Sequence, residues 1–170
     1  MDSNQTEFEL HGIMESFKKL IQDWIIWKKL VLNPSIQDNP KIELKEKLEE
    51  LLTKVFEVQT SITEWTEKIE LVLNAHHLFD PNRFCHLLNP SSQLQEKLEE
   101  TSRKLQAAQI SLNITSLGLK ENLELVLDPS SQNDSIAELK EKLQETIPEI
   151  QNGMFLAAIR LRKILVTEKF

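Results

Sequence analysis

LVLNPSIQDNPKIELKEKLEE, residues Leu30 to Glu50, returns 95 residues later as LVLDPSSQNDSIAELKEKLQE, Leu125 to Glu145, with 13 of 21 positions identical and no gap. A shorter copy, HLLNPSSQLQEKLEE, covers His86 to Glu100, and ELVLN at Glu70 to Asn74 repeats the first part without the proline. The stretch reads as the end of one helix, a Pro-Ser turn and the start of the next. A residue before proline is pushed out of the α region, and proline has no N–H to extend the ladder. The Ser, Asn and Asp that follow offer oxygens to the unpaired N–H groups of a new helix. Ser92 with Gln95, Ser135 with Glu138, and Thr6 with Glu9 have capping-box spacing. Asn39 before Pro40 suits an N-cap with proline at the first helical position.

Four periodic segments fit between these signals. The first, about 7–32, carries Leu10, Ile13, Phe17, Leu20, Trp24, Trp27 and Val31 in alternating steps of three and four. The second, about 41–73, is the most regular: Leu44, Leu48, Leu51, Val55, Val58, Ile62, Trp65, Ile69 and Val72 keep the 3.5-residue coiled-coil period. Its Glu43/Lys47, Glu50/Lys54 and Glu64/Lys68 pairs have the favoured i,i+4 order. The third, about 92–127, has Leu94, Leu98, Leu105, Leu112, Leu119 and Val126 on its seam, with Thr101, Ala108, Thr115 and Asn122 between them. Gly118 weakens this segment by about 1 kcal/mol relative to Ala. The fourth, about 135–167, runs through Leu139, Leu143, Ile147, Ile150, Met154, Ala158, Leu161 and Leu165, with Pro148 expected to kink or break it. Residues 74–91 read as an irregular connection, too long for a tight helix–helix turn.

The fold expected is therefore all-α. It is an elongated antiparallel four-helix bundle in one domain, made of two repeated hairpins, 7–73 and 92–167, with coiled-coil-like heptads. Three glycines in 170 residues and 28% charged side chains favour helix. A net charge of −7 argues against nonspecific nucleic-acid binding. With a single cysteine, Cys85, no internal disulfide framework forms. No basic n-region precedes an apolar stretch at the start, so an intracellular location, cytoplasmic or nuclear, is expected. The triplets headed by Asn4, Asn113 and Asn133 then read as chance matches to the glycosylation pattern. No apolar run approaches the ~18 residues of a membrane span, so no stable membrane insertion is expected.

Sites for chemistry find little support. His76, His77, Asp80, Cys85 and His86 include zinc-ligand types, but their spacing matches no ligand pattern. No Glu stands three residues before a histidine, which excludes the di-iron pattern. Cys85 and His86 are sequence neighbours, an arrangement that does not normally place a base on a nucleophile. No glycine-rich phosphate loop occurs. The runs KEKLEE, EKLEE and KEKLQE read as solvated helix faces. No enzyme activity, metal or cofactor is expected.

The heptads and composition resemble helical subunits of multi-protein assemblies, such as those of centrosomes, kinetochores or the cytoskeleton. A non-enzymatic interaction or scaffold subunit is expected, with a helical protein partner or a second copy as its ligand. Within it, DWIIWKKLVL (Asp23 to Leu32) is the candidate partner surface, through Trp24, Ile25, Trp27 and Leu32. Trp24, Trp27 and Val31 fall on one seam, whereas Ile25 and Leu32 point elsewhere at 100° per residue. The competing reading makes all of them core. A lipid- or membrane-surface-binding module is the alternative function, suggested by the amphipathic, basic tail AAIRLRKILVTEKF. Core packing of Ile159, Leu161, Ile164 and Leu165 with the charges outside is the favoured reading of that tail.

Overall fold

The computed structural model describes residues 3–32, 40–78, 89–128 and 136–167. Among these, five helices and no strands occur: α1 (Ser3–Leu32), α2 (Pro40–Leu78), α3 (Asn89–Leu127), α4 (Ile136–Gln144) and α5 (Ile147–Thr167). They pack as a helical bundle around one apolar core.

Cross-helix hydrogen bonds give the directions. Gln59 of α2 donates to Asn113 of α3, and Gln109 of α3 to Thr63 of α2, so these helices run antiparallel. Thr115 of α3 donates to Ile150 O of α5 and Arg160 of α5 to Ala107 O of α3, again antiparallel. Lys54 of α2 reaches Asp23 of α1. Trp24 and Lys28 of α1 both donate to Gln151 of α5. Around the bundle the order is α1, α2, α3, α5, with α1 returning to α5 and α4 through fewer contacts.

The periodic seams become the core. Leu10, Ile13, Phe17, Leu20, Trp24, Trp27 and Val31 are buried in α1, and Leu44 to Ile69 along the seam of α2. The polar seam positions of α3 are buried too: Thr101, Thr115 and Asn122. Removing a large apolar side chain from water stabilises the fold by roughly 1.5–3 kcal/mol, and three Trp and Phe17 head the fully buried set.

Several expected boundaries move. The first helix starts at Ser3, so Thr6 and Glu9 lie inside it rather than at its cap. The helix through ELVLN does not end at Asn74: no proline follows, and α2 continues to Leu78. Asn89-Pro90 does not close a helix but opens α3, because proline in the first turn forfeits no intrahelical bond. Ser92 and Gln95 therefore lie within α3, and the connection expected over 74–91 is helical at both ends. Asn33, Pro34, Asn39, Pro129 and Ser135, which carry the two longer Pro-Ser turns, lie outside the described residues.

The break near Pro148 falls just before it. Helix α4 ends at Gln144, and Glu145 N and Thr146 N make i→i−3 bonds to Lys142 O and Leu143 O at 3.3 Å each. Ile147 opens α5, which leaves Pro148 in the first turn, where its missing N–H costs nothing. The seam otherwise runs through the restart in phase, with Leu139, Leu143, Ile147, Ile150, Met154 and Leu161 buried as expected. Ala157 and Ile164 are fully buried, whereas Ala158, expected on the seam, is half-buried. The side chain of Leu165 lies outside the described set.

Candidate interaction surface

The end of α1 divides sharply. Trp24 and Trp27 are 2% and 0% exposed, and Ile25 and Leu32 are 46% and 48% exposed. The two Trp rings are therefore core and cannot themselves be the outer face of a partner surface. The rotation of 100° per residue that turns them inward turns Ile25 and Leu32 out. Ile26, 49% exposed, joins them. Trp24 Nε1 is anchored on Gln151 Oε1 at 3.4 Å, and Lys28 Nζ shares that oxygen at 3.0 Å. These bonds pin α1 to α5 directly beneath Ile25.

Further exposed apolar side chains lie away from the end of α1. Phe155 follows Gln151 by one turn of α5, and Ile159, expected in the core but turned outward, follows Phe155 by another, so both flank the α1–α5 contact. On the opposite side of the bundle, Phe56 precedes Gln59 by one turn and Leu117 follows Asn113 by one turn. Because Gln59 and Asn113 are bonded across antiparallel helices at 2.7 Å, Phe56 and Leu117 stand level with one another. They are 68% and 60% exposed. Ile110 is exposed on the same face and lines a groove with Thr63, Thr66, Glu67 and Glu70. The heptad reading missed these residues because it looks for the seam. The available signal was large apolar side chains at positions off the seam.

The electrostatics of the two faces differ. Lys28, Lys29 and Arg162 are distributed among Ile25, Phe155 and Ile159, while Lys18 is paired with Glu15 at 3.3 Å. Around Phe56, Ile110 and Leu117 stand Glu67, Glu70, Glu121 and Glu124, against Arg103 and Lys120. Lys54, expected to pair with Glu50, instead crosses to Asp23, because its half-buried position between α1 and α2 aims it at the neighbouring helix.

Among the described residues no group of three or more His, Cys, Asp or Glu could hold a metal ion. His76 and His77 lie in α2, whereas Asp80, Cys85 and His86 lie outside the described residues. Four buried polar atoms have no hydrogen-bond partner among the described residues: Trp27 Nε1, Trp65 Nε1, Gln109 Oε1 and Asn122 Nδ2. Trp65 borders a notch between α1 and α2 with a floor of Gly12, Ser16 and Ser61, but its Nε1 is sealed from solvent. With the Asn122 amide turned over, its N–H would donate to Thr146 Oγ1, 2.7 Å away, while the Thr146 hydroxyl donates to Leu143 O at 2.9 Å. No helix among the described residues is long and apolar enough to cross a membrane.

Comparison with protein-family models, with curated proteins and with solved structures finds no significant match to this chain.

Proposed function

We propose that the chain is a non-enzymatic protein–protein interaction or scaffold subunit of an intracellular assembly, cytoplasmic or nuclear, that presents helix surfaces to a helical partner or to a second copy. In this reading the two repeated hairpins, 7–73 and 92–167, pack as an elongated antiparallel four-helix bundle with coiled-coil-like heptads. A helix of about 39 residues then spans roughly 58 Å at 1.5 Å per residue. The observation that carries the proposal is that Ile25, Ile26 and Leu32 are about half exposed near the end of a helix whose seam residues Leu10, Ile13, Phe17, Leu20, Trp24, Trp27 and Val31 are buried. Grouped exposed apolar side chains mark binding sites more often than scattered ones do. The interaction surface is thus Ile25 and Leu32, with Trp24 and Trp27 holding the helix beneath them.

The test replaces Ile25 and Leu32 together by Gln. Unchanged thermal stability with lost self-association or lost partner capture supports the surface. A large fall in melting temperature makes these residues structural and refutes this assignment.

A second reading has its own observation. Phe155 and Ile159 are about half exposed beside Arg162 near the end of α5, the arrangement of a helix that lies on an anionic lipid surface. The burial of Leu161 and Ile164 in the same helix favours the bundle. Co-sedimentation with anionic vesicles separates the two readings.

A further inference from the structure

Ring order makes the two apolar faces opposite walls of one bundle. Helices α1 and α5 form one wall and α2 and α3 the other. On the first, Ile25, Phe155 and Ile159 stand with Lys28, Lys29 and Arg162. On the second, Phe56, Ile110 and Leu117 stand with Glu67, Glu70, Glu121 and Glu124, and the cations there, Arg103, Lys120 and Lys45, the last beside Glu49 at 3.9 Å, leave the wall net acidic. Each wall mixes exposed apolar side chains with charged ones, and the charges are of opposite sign.

We infer that copies of this chain associate head to tail, the basic α1/α5 wall of one seating on the acidic α2/α3 wall of the next. The inference rests on the interaction reading above and names its partner as a second copy. Charge complementarity selects that occupant. A like-with-like contact would bring Lys28, Lys29 and Arg162 against themselves, or the four carboxylates against themselves, and like charges in close apposition oppose association. Pairing unlike walls brings apolar side chains together and neutralises the charges of both. The contact is heterologous, so an unblocked copy always offers one free wall of each kind. Such contacts build rings where the rotation closes and open filaments where it does not.

This geometry has a test that no symmetric contact passes. Two double variants of the full chain each block one wall at exposed positions: Ile25→Gln with Phe155→Gln, and Phe56→Gln with Leu117→Gln. Mass is followed by sedimentation over rising protein concentration. The unmodified chain is expected to grow beyond a dimer, and its association is expected to weaken at least about tenfold as salt rises from roughly 0.05 to 0.5 M. Each variant alone is expected to stay monomeric. An equimolar mixture is expected to form a one-to-one dimer and nothing larger, because one partner keeps the basic wall and the other the acidic wall. Circular dichroism checks that both variants keep their helix content and melting temperature. Should either fail that check, Ile159→Gln and Ile110→Gln block the same walls in its place.

Three results overturn the inference. One is a monomer at every concentration in low salt. Another is a closed dimer that only one of the two variants disrupts. The third is a mixture of variants that fails to associate when the unmodified chain does. In the first case the interaction reading survives if the Ile25→Gln/Leu32→Gln chain loses capture of a different protein; if it loses none, both fail. Binding to anionic vesicles by a chain that stays monomeric assigns the basic wall to lipid and also overturns the self-association.

Discussion

Helices α1 and α3 bury matching positions but fill them with different volumes. Leu10, Ile13, Phe17, Leu20, Trp24, Trp27 and Val31 are buried in α1, and the residues 95 further on, Leu105, Ala108, Leu112, Thr115, Leu119, Asn122 and Val126, are buried in α3. The register is shared, while the closeness of the neighbours is not. A Cβ added at Gly118 would stand 2.5 Å from Ile150 Cγ1, and one at Gly153 would stand 2.7 Å from Ser111 O. Helix α5 therefore approaches α3 until backbones nearly touch, and only small side chains fit between them. Helix α1 has looser neighbours and fills the space with its own rings. Gly12 of α1, by contrast, is exposed, and a Cβ there would meet nothing within 4 Å. Large residues where helices stand apart and small ones where they close give both halves a filled interior.

The comparison can be broken most severely at Trp27. Trp27→Ala removes a fully buried ring that nothing nearby can replace, and chemical denaturation is expected to show a loss of about 3–5 kcal/mol. An equally small loss at Asn122→Ala and at Trp27→Ala would show that the two helices do not divide the volume as described.

Gly153→Ala tests the close approach from the other side. One methyl meets Thr115 Oγ1 and the Ser111 carbonyl, and a carbonyl in a helix cannot turn aside, so α3 and α5 must separate. Overpacking of this kind costs about 1–3 kcal/mol, after any gain in helix propensity. A melting temperature equal to or above that of the unmodified chain would mean that the two helices are not in register at this point.

Thr115→Val probes the same seam more gently. It keeps the shape and deletes the hydroxyl that donates to Ile150 O at 3.0 Å. A loss of about 1 kcal/mol is expected, and no change would leave the hydrogen bond without weight. Gly12→Ala has the smallest effect and the opposite sign. The added methyl enters open space in α1, and the helix gains about 0.5–1 kcal/mol from the lost freedom of glycine. Destabilisation there would show that this exposed side of α1 is covered after all.

Much of this was legible in the chain itself. Spacing alone marked the seams of α1, α2 and α3, since a residue at 3- and 4-residue steps has one side of the helix available and that side must be buried. Thr101, Thr115 and Asn122 were found the same way, by position rather than by polarity. The resemblance between Leu30–Glu50 and Leu125–Glu145 likewise placed Leu32 and Leu127 at helix ends and Leu44, Leu48, Leu139 and Leu143 in the core. Pro148 announced a break, though not that the chain would finish its turn at Thr146 and leave the proline in a first turn.

What a local pattern could not contain is any relation between helices. Proline reads the same at the close of a helix and in its first turn, so Asn89-Pro90 was assigned to the wrong side of a boundary that only the neighbouring structure sets. Lys54 has Glu50 one turn away and takes Asp23 of another helix instead, because side-chain partners are chosen by distance in space. Ala157 rather than Ala158 is fully buried, since steps of three and four both keep to the seam and only packing against the neighbouring helices decides between adjacent positions. The heptads of α2 and α3 determined that Phe56 and Leu117 lie off the core. That they stand side by side, opposite a wall of the other charge, follows only from antiparallel packing, which brings residues 61 positions apart to the same level.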